Sequence, residues 1–324
     1  MGLPRSRVVI TGMVPEEGVT ALRAEHDVVA WDDAQPIPRD ELLRRVAGAD
    51  ALVTLLTEKV DAELLDAAGP QLRIVANVAV GYNNIDMPAC RERNVIATNT
   101  PGVLTESTAD VAMALILMTT RRLAEGERVI RSQQPWQWGM FFMLGTGIQG
   151  RRLGIVGMGQ IGVALARRAK AFGMTVAYSN RSAVAPQLED ELGCARLDMG
   201  ELLATSDIVS VHCPYSSETH HLIGAEAFAA MRPNAFLINT ARGPVVDEAA
   251  LADALSTGRI AGAGLDVFEN EPAVDPGLLD LDNVVLLPHL GSATIETRTA
   301  MATLAARNAL AVLRGDAPLT PVAG

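Results

Sequence analysis

The chain has 324 residues, of which 38 are acidic and 27 basic, so its formal charge at neutral pH is −11. This length predicts two domains, and a hydrophobic fraction of 49% is enough for each domain to bury a core. An acidic chain without a cluster of lysine and arginine is a poor match for a protein that binds nucleic acid or an anionic membrane. The longest apolar run, Val111 to Met118, is too short to span a bilayer.

The N-terminal segment and the cysteines both favour a reducing compartment. Residues 1–9 contain neither the long apolar stretch nor the small-residue cleavage site of a secretory signal. The three cysteines, Cys90, Cys194 and Cys213, are odd in number and widely spaced, which is typical of neither a disulfide framework nor a metal site. We therefore expect a cytoplasmic protein with no bound metal.

Short β-branched runs alternate with longer amphipathic stretches, a pattern typical of βα units and parallel sheets. A first group of strands is predicted at 8–11, 51–56, 74–77 and 95–98, with a helix at 39–47. A second group is predicted at 152–156, 175–179, 208–212, 235–239, 261–267 and 284–287. One long helix over 106–131, with Thr105 as its N-cap, is expected to connect the two groups.

The second group of strands determines the predicted domain organisation. Six strands complete a doubly wound, Rossmann-type parallel sheet, so a further helix over 294–314 can return to the first group. We predict an α/β protein in which residues 1–100 and 293–324 form a smaller, flavodoxin-like domain. Residues 101–292 are predicted to form the Rossmann domain.

A glycine-rich turn lies at the start of the predicted Rossmann domain. Gly157, Gly159 and Gly162, with Met158, Gln160 and Ile161 between them, follow the strand 152–156 and precede a helix predicted over 163–172. Glycines allow the backbone to approach a pyrophosphate, and the helix N-terminus favours its negative charge. This context favours dinucleotide binding, although an ordinary tight βα turn would show the same glycines.

The end of the second strand of this domain bears on the choice of dinucleotide. NAD enzymes usually place an acidic residue there to bind the ribose 2′-hydroxyl. Eighteen residues after Gly162 the chain has Asn180, followed by Arg181 and Ser182. A guanidinium and a hydroxyl suit a 2′-phosphate, so the loop favours NADP(H), with NAD(H) as the second possibility. The alternative for Arg181 is a solvated surface charge.

Three polar residues follow three predicted strands of the same domain. His289 comes directly after the strand 284–287, Arg242 after 235–239, and Glu271 shortly after 261–267. Each of them alone could be structural or a surface charge. Since ligands of open α/β sheets bind at the carboxyl ends of the strands, the three together favour a catalytic set.

These residues lie within motifs that resemble the D-isomer-specific 2-hydroxyacid dehydrogenase family, along essentially the whole chain. The resemblance rests on VGYNNID at 80–86, NTPGVLTE at 99–106, the glycine turn, HCP at 212–214 with Thr219, NTARG at 239–243, DVFENEP at 266–272 and PHLGSAT at 288–294. One departure is Asn83, where the most similar members usually have Asp.

The resemblance implies roles for individual residues. Arg242, Glu271 and His289 match the catalytic set, with His289 as the proton donor. Val80 and Gly81 would bind the substrate carboxylate through their backbone amides, Arg242 would clamp it, and residues 1–100 would form the substrate-binding domain. Asp266 would position the nicotinamide amide. Further cofactor contacts are implied for Thr108, Met158, Gln160, Ile161, His212, Cys213, Pro214, Thr219, Thr240, Ala241, His289 and Gly291.

Within the family, the ending Gly291 to Thr294 and the loop at 180–182 look most like reductases of glyoxylate, hydroxypyruvate and 2-ketogluconate. The implied reaction is NADPH-dependent reduction of a small 2-oxo acid to the D-2-hydroxy acid. Two alternatives stay open, an NAD-dependent phosphoglycerate-type dehydrogenase and a dinucleotide-sensing corepressor without enzymatic activity. The missing carboxylate at Asn180 argues against the first, and the lack of an extension after the last helix against both.

Most of the bulky aromatic residues lie in one short segment, with Trp136, Trp138, Phe141 and Phe142. Aromatic residues are enriched at interfaces, which favours a dimer contact or a core patch. In related reductases an arm at this place reaches the partner subunit, so a homodimer is expected and Trp138 is a candidate to contact the neighbour's substrate.

Overall fold

The computed structural model describes residues 5–322, and the chain divides into two compact units. The first unit contains the described residues up to Leu104 together with those from Ala293 onward, and the second contains Thr105–Ser292. Each unit is built on a parallel β-sheet, so the predicted α/β class is confirmed.

The strands and helices alternate through most of the chain. The strands are β1 (Arg7–Ile10), β2 (Asp27–Ala30), β3 (Ala51–Thr54), β4 (Ile74–Asn77), β5 (Ile96–Thr98), β6 (Arg152–Val156), β7 (Thr175–Ser179), β8 (Ala195–Arg196), β9 (Ile208–Val211), β10 (Phe236–Asn239), β11 (Gly262–Leu265) and β12 (Val284–Leu286). The helices are α1 (Glu16–Arg23), α2 (Arg39–Val46), α3 (Ala62–Ala68), α4 (Met87–Glu92), α5 (Thr105–Thr120), α6 (Leu123–Arg131), α7 (Gln160–Ala171), α8 (Pro186–Leu192), α9 (Met199–Thr205), α10 (Ala225–Ala230), α11 (Glu248–Ser256), α12 (Pro276–Leu279) and α13 (Ile295–Arg314). A 3-10 turn covers Gly243–Val245.

The first unit has five parallel strands in the order β2-β1-β3-β4-β5, which is the flavodoxin-like order. Both faces are buried, because Leu52 and Val75 pack on one side while Val53 and Ala76 pack on the other. Helix α13 covers the second side beside α1, and its buried face is rich in alanine, which permits close approach. Strand β2 was not among the predicted strands. Its residues are at most half-buried, so it lacks the strong apolar pattern of its neighbours.

The second unit has seven parallel strands in the order β12-β11-β10-β9-β6-β7-β8. Strand β6 lies between β7 and β9, so the winding of the chain changes direction there, as in a Rossmann sheet. The prediction of six strands was wrong by one, because the two-residue edge strand β8 also pairs with β7.

The predicted helix over 106–131 is two helices. Helix α5 begins at Thr105, which is therefore a helical residue and not an N-cap, and it ends at Thr120. Arg122 adopts a left-handed conformation (φ = 54°), which breaks the helix before α6 begins at Leu123. Within residues 5–322, no helix combines the length and the apolar character needed to cross a membrane.

Candidate active site

The second unit brings its predicted site residues to one edge of the sheet. They follow the carboxyl ends of six parallel strands: Gly157 follows β6, Asn180 follows β7, His212 follows β9, Thr240 follows β10, Asp266 follows β11, and His289 follows β12 within three residues. Because all these strands point the same way, the residues share the edge at which open α/β sheets bind ligands.

The three glycines of the turn between β6 and α7 have different surroundings. Gly157 has φ = 98°, and a Cβ there would lie 2.5 Å from the amide nitrogen of Cys213. A Cβ on Gly162 would lie 2.7 Å from the carbonyl oxygen of Gly157. At Gly159, by contrast, no atom lies within 4 Å of a Cβ position, and α7 begins at the next residue. The turn is therefore tight on the protein side and open at the helix N-terminus, as anion binding requires.

The loop after β7 is held by contacts that the sequence did not indicate. The side-chain oxygen of Asn180 accepts a hydrogen bond of 2.6 Å from the amide of Met158, so Asn180 supports the glycine turn. Arg196 donates to the carbonyl oxygens of Asn180 (3.0 Å) and Arg181 (2.8 Å). The side chain of Arg181 is 92% exposed, and its guanidinium lies 3.7 Å from the carboxylate of Glu218. Ser182 is also exposed.

The loop after β9 contains a histidine that is suited to a neutral role. Nε2 of His212 lies 2.8 Å from the hydroxyl of Ser210, and its Nδ1 is buried without a partner among the described residues. Burial lowers the pKa of His212 to about 4, so the ring is neutral at physiological pH. Burial also raises the pKa of the Cys213 thiol to about 11, which excludes a thiolate there near neutrality.

Thr219 closes the same loop. Its hydroxyl donates to the carbonyl oxygen of Pro214 at 2.8 Å and accepts from the amide of Ser216 at 2.7 Å. The residues predicted from HCP and Thr219 therefore form one ordered turn beside the glycine turn, since Gly157 lies against Cys213.

Glu271 and His289 form a hydrogen-bonded pair. Nδ1 of His289 lies 2.8 Å from one carboxylate oxygen of Glu271, and the other oxygen accepts from the amide of Phe268 at 3.0 Å. Burial alone would raise the pKa of Glu271, but the bonds from His289 and Phe268 outweigh it and lower this pKa. Glu271 is therefore ionised near neutrality and fixes the imidazole with Nε2 pointing away from the pair.

The backbone also orients His289. Its φ is 54°, and its amide donates to the carbonyl oxygen of Asp266 at 2.9 Å. The two oxygens of the buried Asp266 carboxylate accept from the amides of Leu290 (2.6 Å) and Gly291 (2.7 Å). Burial raises the pKa of Asp266 and these two amides oppose the shift. Thr108 on α5 donates to the carbonyl oxygen of Gly291 at 3.2 Å, so the loop after β12 is held from both sides.

Arg242 lies in the loop after β10. Its guanidinium donates to the carbonyl oxygen of Ala241 at 2.6 Å. Asn239 shapes this loop, because its amide group donates to the carbonyl oxygen of Arg242 and accepts from the amide of Ala241, both at 3.0 Å. Burial lowers the pKa of Arg242 and the charge of Glu271 opposes the shift; an arginine so placed stays charged.

Gly243 brings the Arg242 and Glu271 loops together. A Cβ at Gly243 would lie 1.9 Å from the carbonyl carbon and oxygen of Phe268, so only glycine fits between the two loops. The buried carboxylate of Glu248 also holds the second loop, accepting from the amides of Glu269 (2.5 Å) and Asp275 (3.2 Å). Sequence reasoning missed Gly243 and Glu248 as site supports because their partners lie far away in the sequence.

In the first unit, the loop after β4 presents two backbone amides. The carbonyl oxygen of Val80 accepts from the side chain of Asn99 at 2.8 Å, and that of Gly81 accepts from the side chain of Asn77 at 3.0 Å. The N–H groups of Val80 and Gly81 have no hydrogen-bond acceptor among residues 5–322. Fixed carbonyls with available N–H groups are what a carboxylate-binding loop requires.

The aromatic segment after α6 is not part of a core within this chain, so the core-patch interpretation was wrong. Trp138 is 73% exposed and Phe141 is 88% exposed. The rings of Trp136 and Phe142 stack at 5.8 Å, and helix α6 has no buried residue. This surface is apolar and open, as expected of an interface.

Comparison with known proteins decides the family. The family model described as D-isomer specific 2-hydroxyacid dehydrogenase, NAD binding domain, matches residues 113–291. A glyoxylate reductase of Thermococcus litoralis is 48% identical over 319 residues, which are 97% of this chain and 96% of that protein. The chain belongs to the D-isomer specific 2-hydroxyacid dehydrogenase family. It is accordingly an oxidoreductase that uses a nicotinamide dinucleotide.

Other family members extend the comparison. A glyoxylate reductase of Thermococcus onnurineus is 49% identical over 323 residues, which are 98% of this chain and 96% of that protein. Among solved structures, an NADPH-dependent glyoxylate/hydroxypyruvate reductase from Sinorhizobium meliloti, in complex with NADP and malonate, is 36% identical with a TM-score of 0.83. That match covers 98% of this chain and 97% of the other. The resemblance read from the motifs is confirmed.

Proposed function

We propose that the protein reduces a small 2-oxo acid, such as glyoxylate, hydroxypyruvate or 2-ketogluconate, to the D-2-hydroxy acid with NADPH. The observation that carries this proposal is the Glu271–His289 pair beside Arg242, on the same sheet edge as the glycine turn. The glyoxylate reductases among the relatives support the substrate class.

The proposed proton donor is His289. Because Nδ1 faces the ionised Glu271, Nε2 is the ring nitrogen that remains to donate a proton to the substrate. Reduction of the carbonyl carbon leaves negative charge on the carbonyl oxygen, and this oxygen takes the proton from Nε2. The imidazole left behind is neutral and is protonated again from solvent, since His289 is partly exposed.

Arg242 and the loop after β4 are proposed to bind the substrate. The planar guanidinium of Arg242 can hydrogen-bond the carboxylate and polarise the neighbouring carbonyl. The free N–H groups of Val80 and Gly81 are proposed to bind the carboxylate, and they add no charge that could be neutralised by pH.

The second unit fits a dinucleotide. The pyrophosphate would lie at Gly159 and the N-terminus of α7, where a Cβ position is open. Residues 160–162, 212–214, 219, 240, 241 and 291 line the same sheet edge, and the buried Nδ1 of His212 and hydroxyl of Thr240 lack partners among the described residues. When bound, the nicotinamide supplies the hydride. Asp266 is proposed to help position the nicotinamide amide, although both its oxygens also hold the His289 loop.

We propose a preference for NADPH over NADH. The loop after β7 offers a guanidinium and a hydroxyl, Arg181 and Ser182, and no carboxylate of its own for a ribose 2′-hydroxyl. Arg196 supports this loop through its carbonyl oxygens. The NADP complex of the Sinorhizobium meliloti reductase is in line with this preference.

The test is consumption of NADPH and of NADH with a panel of 2-oxo acids, for the unmodified protein and for His289→Ala. We expect turnover with at least one of the three acids, a higher kcat/KM with NADPH, and a loss of about 100-fold or more in the variant. Dinucleotide binding without turnover on any acid would favour the corepressor alternative. Turnover restricted to phosphoglycerate with NAD would favour the dehydrogenase alternative.

We further propose that the protein acts in the cytoplasm as a homodimer in which the aromatic segment forms part of the interface. The exposure of Trp138 and Phe141 supports the interface, because monomers rarely expose such apolar groups together. Trp138→Ala should alter the relative kcat/KM among the oxo acids if this residue contacts the neighbour's substrate. Unchanged kinetics, with altered mass in light scattering, would leave it an interface role only.

A further inference from the structure

Three side chains outside the Glu271–His289 pair have the chemistry of metal ligands. His220 and His221 follow the Thr219 turn, and Glu269 lies on the loop after β11. One ligand atom of each residue lies within 4.8 Å of the others. Nε2 of His221 and a carboxylate oxygen of Glu269 are already 2.7 Å apart.

We propose that His220, His221 and Glu269 form a binding site for a divalent transition metal of the zinc type. Two imidazoles and one carboxylate favour Zn²⁺, Co²⁺, Ni²⁺ or Cu²⁺ over Mg²⁺ or Ca²⁺, which prefer oxygen ligands alone. Three protein ligands leave a fourth position for water, which is typical of an exchangeable site and not of a closed structural one.

Binding of the metal requires movements of the three side chains. Metal bonds of about 2.0–2.1 Å at a tetrahedral angle place two ligand atoms about 3.3 Å apart. The His221–Glu269 separation would widen from 2.7 Å, and His220 would close in from within 4.8 Å. His220 is exposed and His221 and Glu269 are partly exposed, so their side chains have room to rotate.

The surroundings of His221 suit a metal ligand. On the far side of its ring, Nδ1 lies 3.7 Å from a carboxylate oxygen of Asp247. A histidine that binds metal through Nε2 typically donates its Nδ1 hydrogen to a carboxylate, which orients the ring and increases its basicity. Asp247 is held in place as the N-cap of α11, where its other oxygen accepts from the amide of Ala250.

The two histidine rings are stacked, and this stack has to open for both of them to bind one metal ion. Their centroids are 4.0 Å apart with an interplanar angle of 20°, and the edge of His220 meets the ring of Tyr215 at 6.0 Å. The lone pair of an imidazole nitrogen lies in the plane of its ring, so two nearly parallel rings cannot both direct a nitrogen at one ion, and the exposed ring of His220 has to turn out of the stack. A bound metal would connect the Thr219 turn to the loop that carries Glu271.

The experiment is titration of the chelator-treated, full-length protein with Zn²⁺ by calorimetry, and with Co²⁺ by visible absorption. We expect one ion per chain, with the intense absorption of four-coordinate cobalt. His220→Ala and Glu269→Gln should each weaken binding by at least about tenfold, and Asp247→Asn should weaken it less, because Asp247 acts only through His221. His26→Ala, in the first unit, is the matched control and should bind like the unmodified protein.

Three results would overturn the proposal. They are no binding of either metal at 100-fold molar excess, equal binding by His220→Ala and the unmodified protein, or loss of the ion in His289→Ala alone. Thermal melts without metal show whether each variant is folded, so lost binding is not confused with unfolding. Neither the metal titration nor the cobalt spectrum depends on the reaction proposed above, so each stands or fails independently of it.

Discussion

Replacing Glu271 by Gln tests the charge relationship at the centre of the proposed mechanism. Gln keeps the shape of the side chain and a hydrogen-bond acceptor for Nδ1 of His289, but it removes the negative charge 2.8 Å away. A charge-assisted hydrogen bond contributes about 1.5–3 kcal/mol, and a neutral one roughly half of that. Because the two side chains are 32% and 36% exposed, solvent screening reduces the difference to about 1 kcal/mol. The expected loss is therefore about fivefold in kcat/KM near pH 7.5.

The pH dependence of this loss distinguishes a charge effect from damage to the site. The pKa of Glu271 is lowered, so its carboxylate is ionised from pH 6 upward and loses its charge only as the pH falls through this lowered value. Protonation of Glu271 in the unmodified protein removes the same charge that Gln lacks, so the loss should be constant from pH 6 to pH 8.5 and shrink as the pH falls toward the lowered pKa of Glu271. Initial rates of NADPH consumption from acidic pH to pH 8.5 measure the loss in kcat/KM. Glu269→Gln is the control with an equal change of charge. A loss that is the same at every pH would refute the reasoning.

Four further substitutions test the supports of the site. Arg242→Lys should lower kcat by at least ~30-fold, because an ammonium cannot bond two oxygens in a plane; unchanged kcat would remove Arg242 from the mechanism. Arg181→Ala should raise the KM for NADPH about tenfold and leave that for NADH alone, as measured by initial rates. Asn77→Ala should raise the KM for the oxo acid several-fold more than it changes kcat, because the carbonyl of Gly81 loses its donor at 3.0 Å. Gly243→Ala should lower the Tm by about 2–10 °C in a thermal melt, because a Cβ overlaps the carbonyl of Phe268.

The fold could be predicted where hydrophobic pattern and burial agree. Strands such as β3 and β9 are buried along their whole length and appear in the sequence as mostly apolar runs. The missed elements, β2 and β8, are edge strands with few or no buried residues, so their pairing depends on the neighbouring strand and not on their own composition. The break at Arg122 was also beyond sequence reasoning, because arginine is a good helix former and neither glycine nor proline marks the end of α5.

The reactive groups of the site could be predicted from the sequence, but the contacts that hold them in place could not. Arg242, Glu271 and His289 have side chains whose chemistry is evident from residue type, and the parallel sheet explains why strand ends lie together. The supports are hydrogen bonds and close contacts between distant segments. Arg196 holds a loop 15 residues away in sequence, and Glu248 binds the amides of residues 21 and 27 positions away. Such contacts leave no periodicity for sequence reasoning to detect.

The negative charge of the chain has to be reconciled with the binding of anions at the site. A protein of formal charge −11 is proposed to bind an anionic cofactor and an anionic substrate, with several carboxylates close by. Asp266, Glu271 and Glu248 each use both oxygens as acceptors for backbone amides or for His289. Their negative charge is thus compensated by N–H groups of the loops that they hold. Arg242 and the N-terminus of α7 supply positive potential at the sheet edge. The carboxylates therefore build the site without competing with the anions that it is proposed to bind.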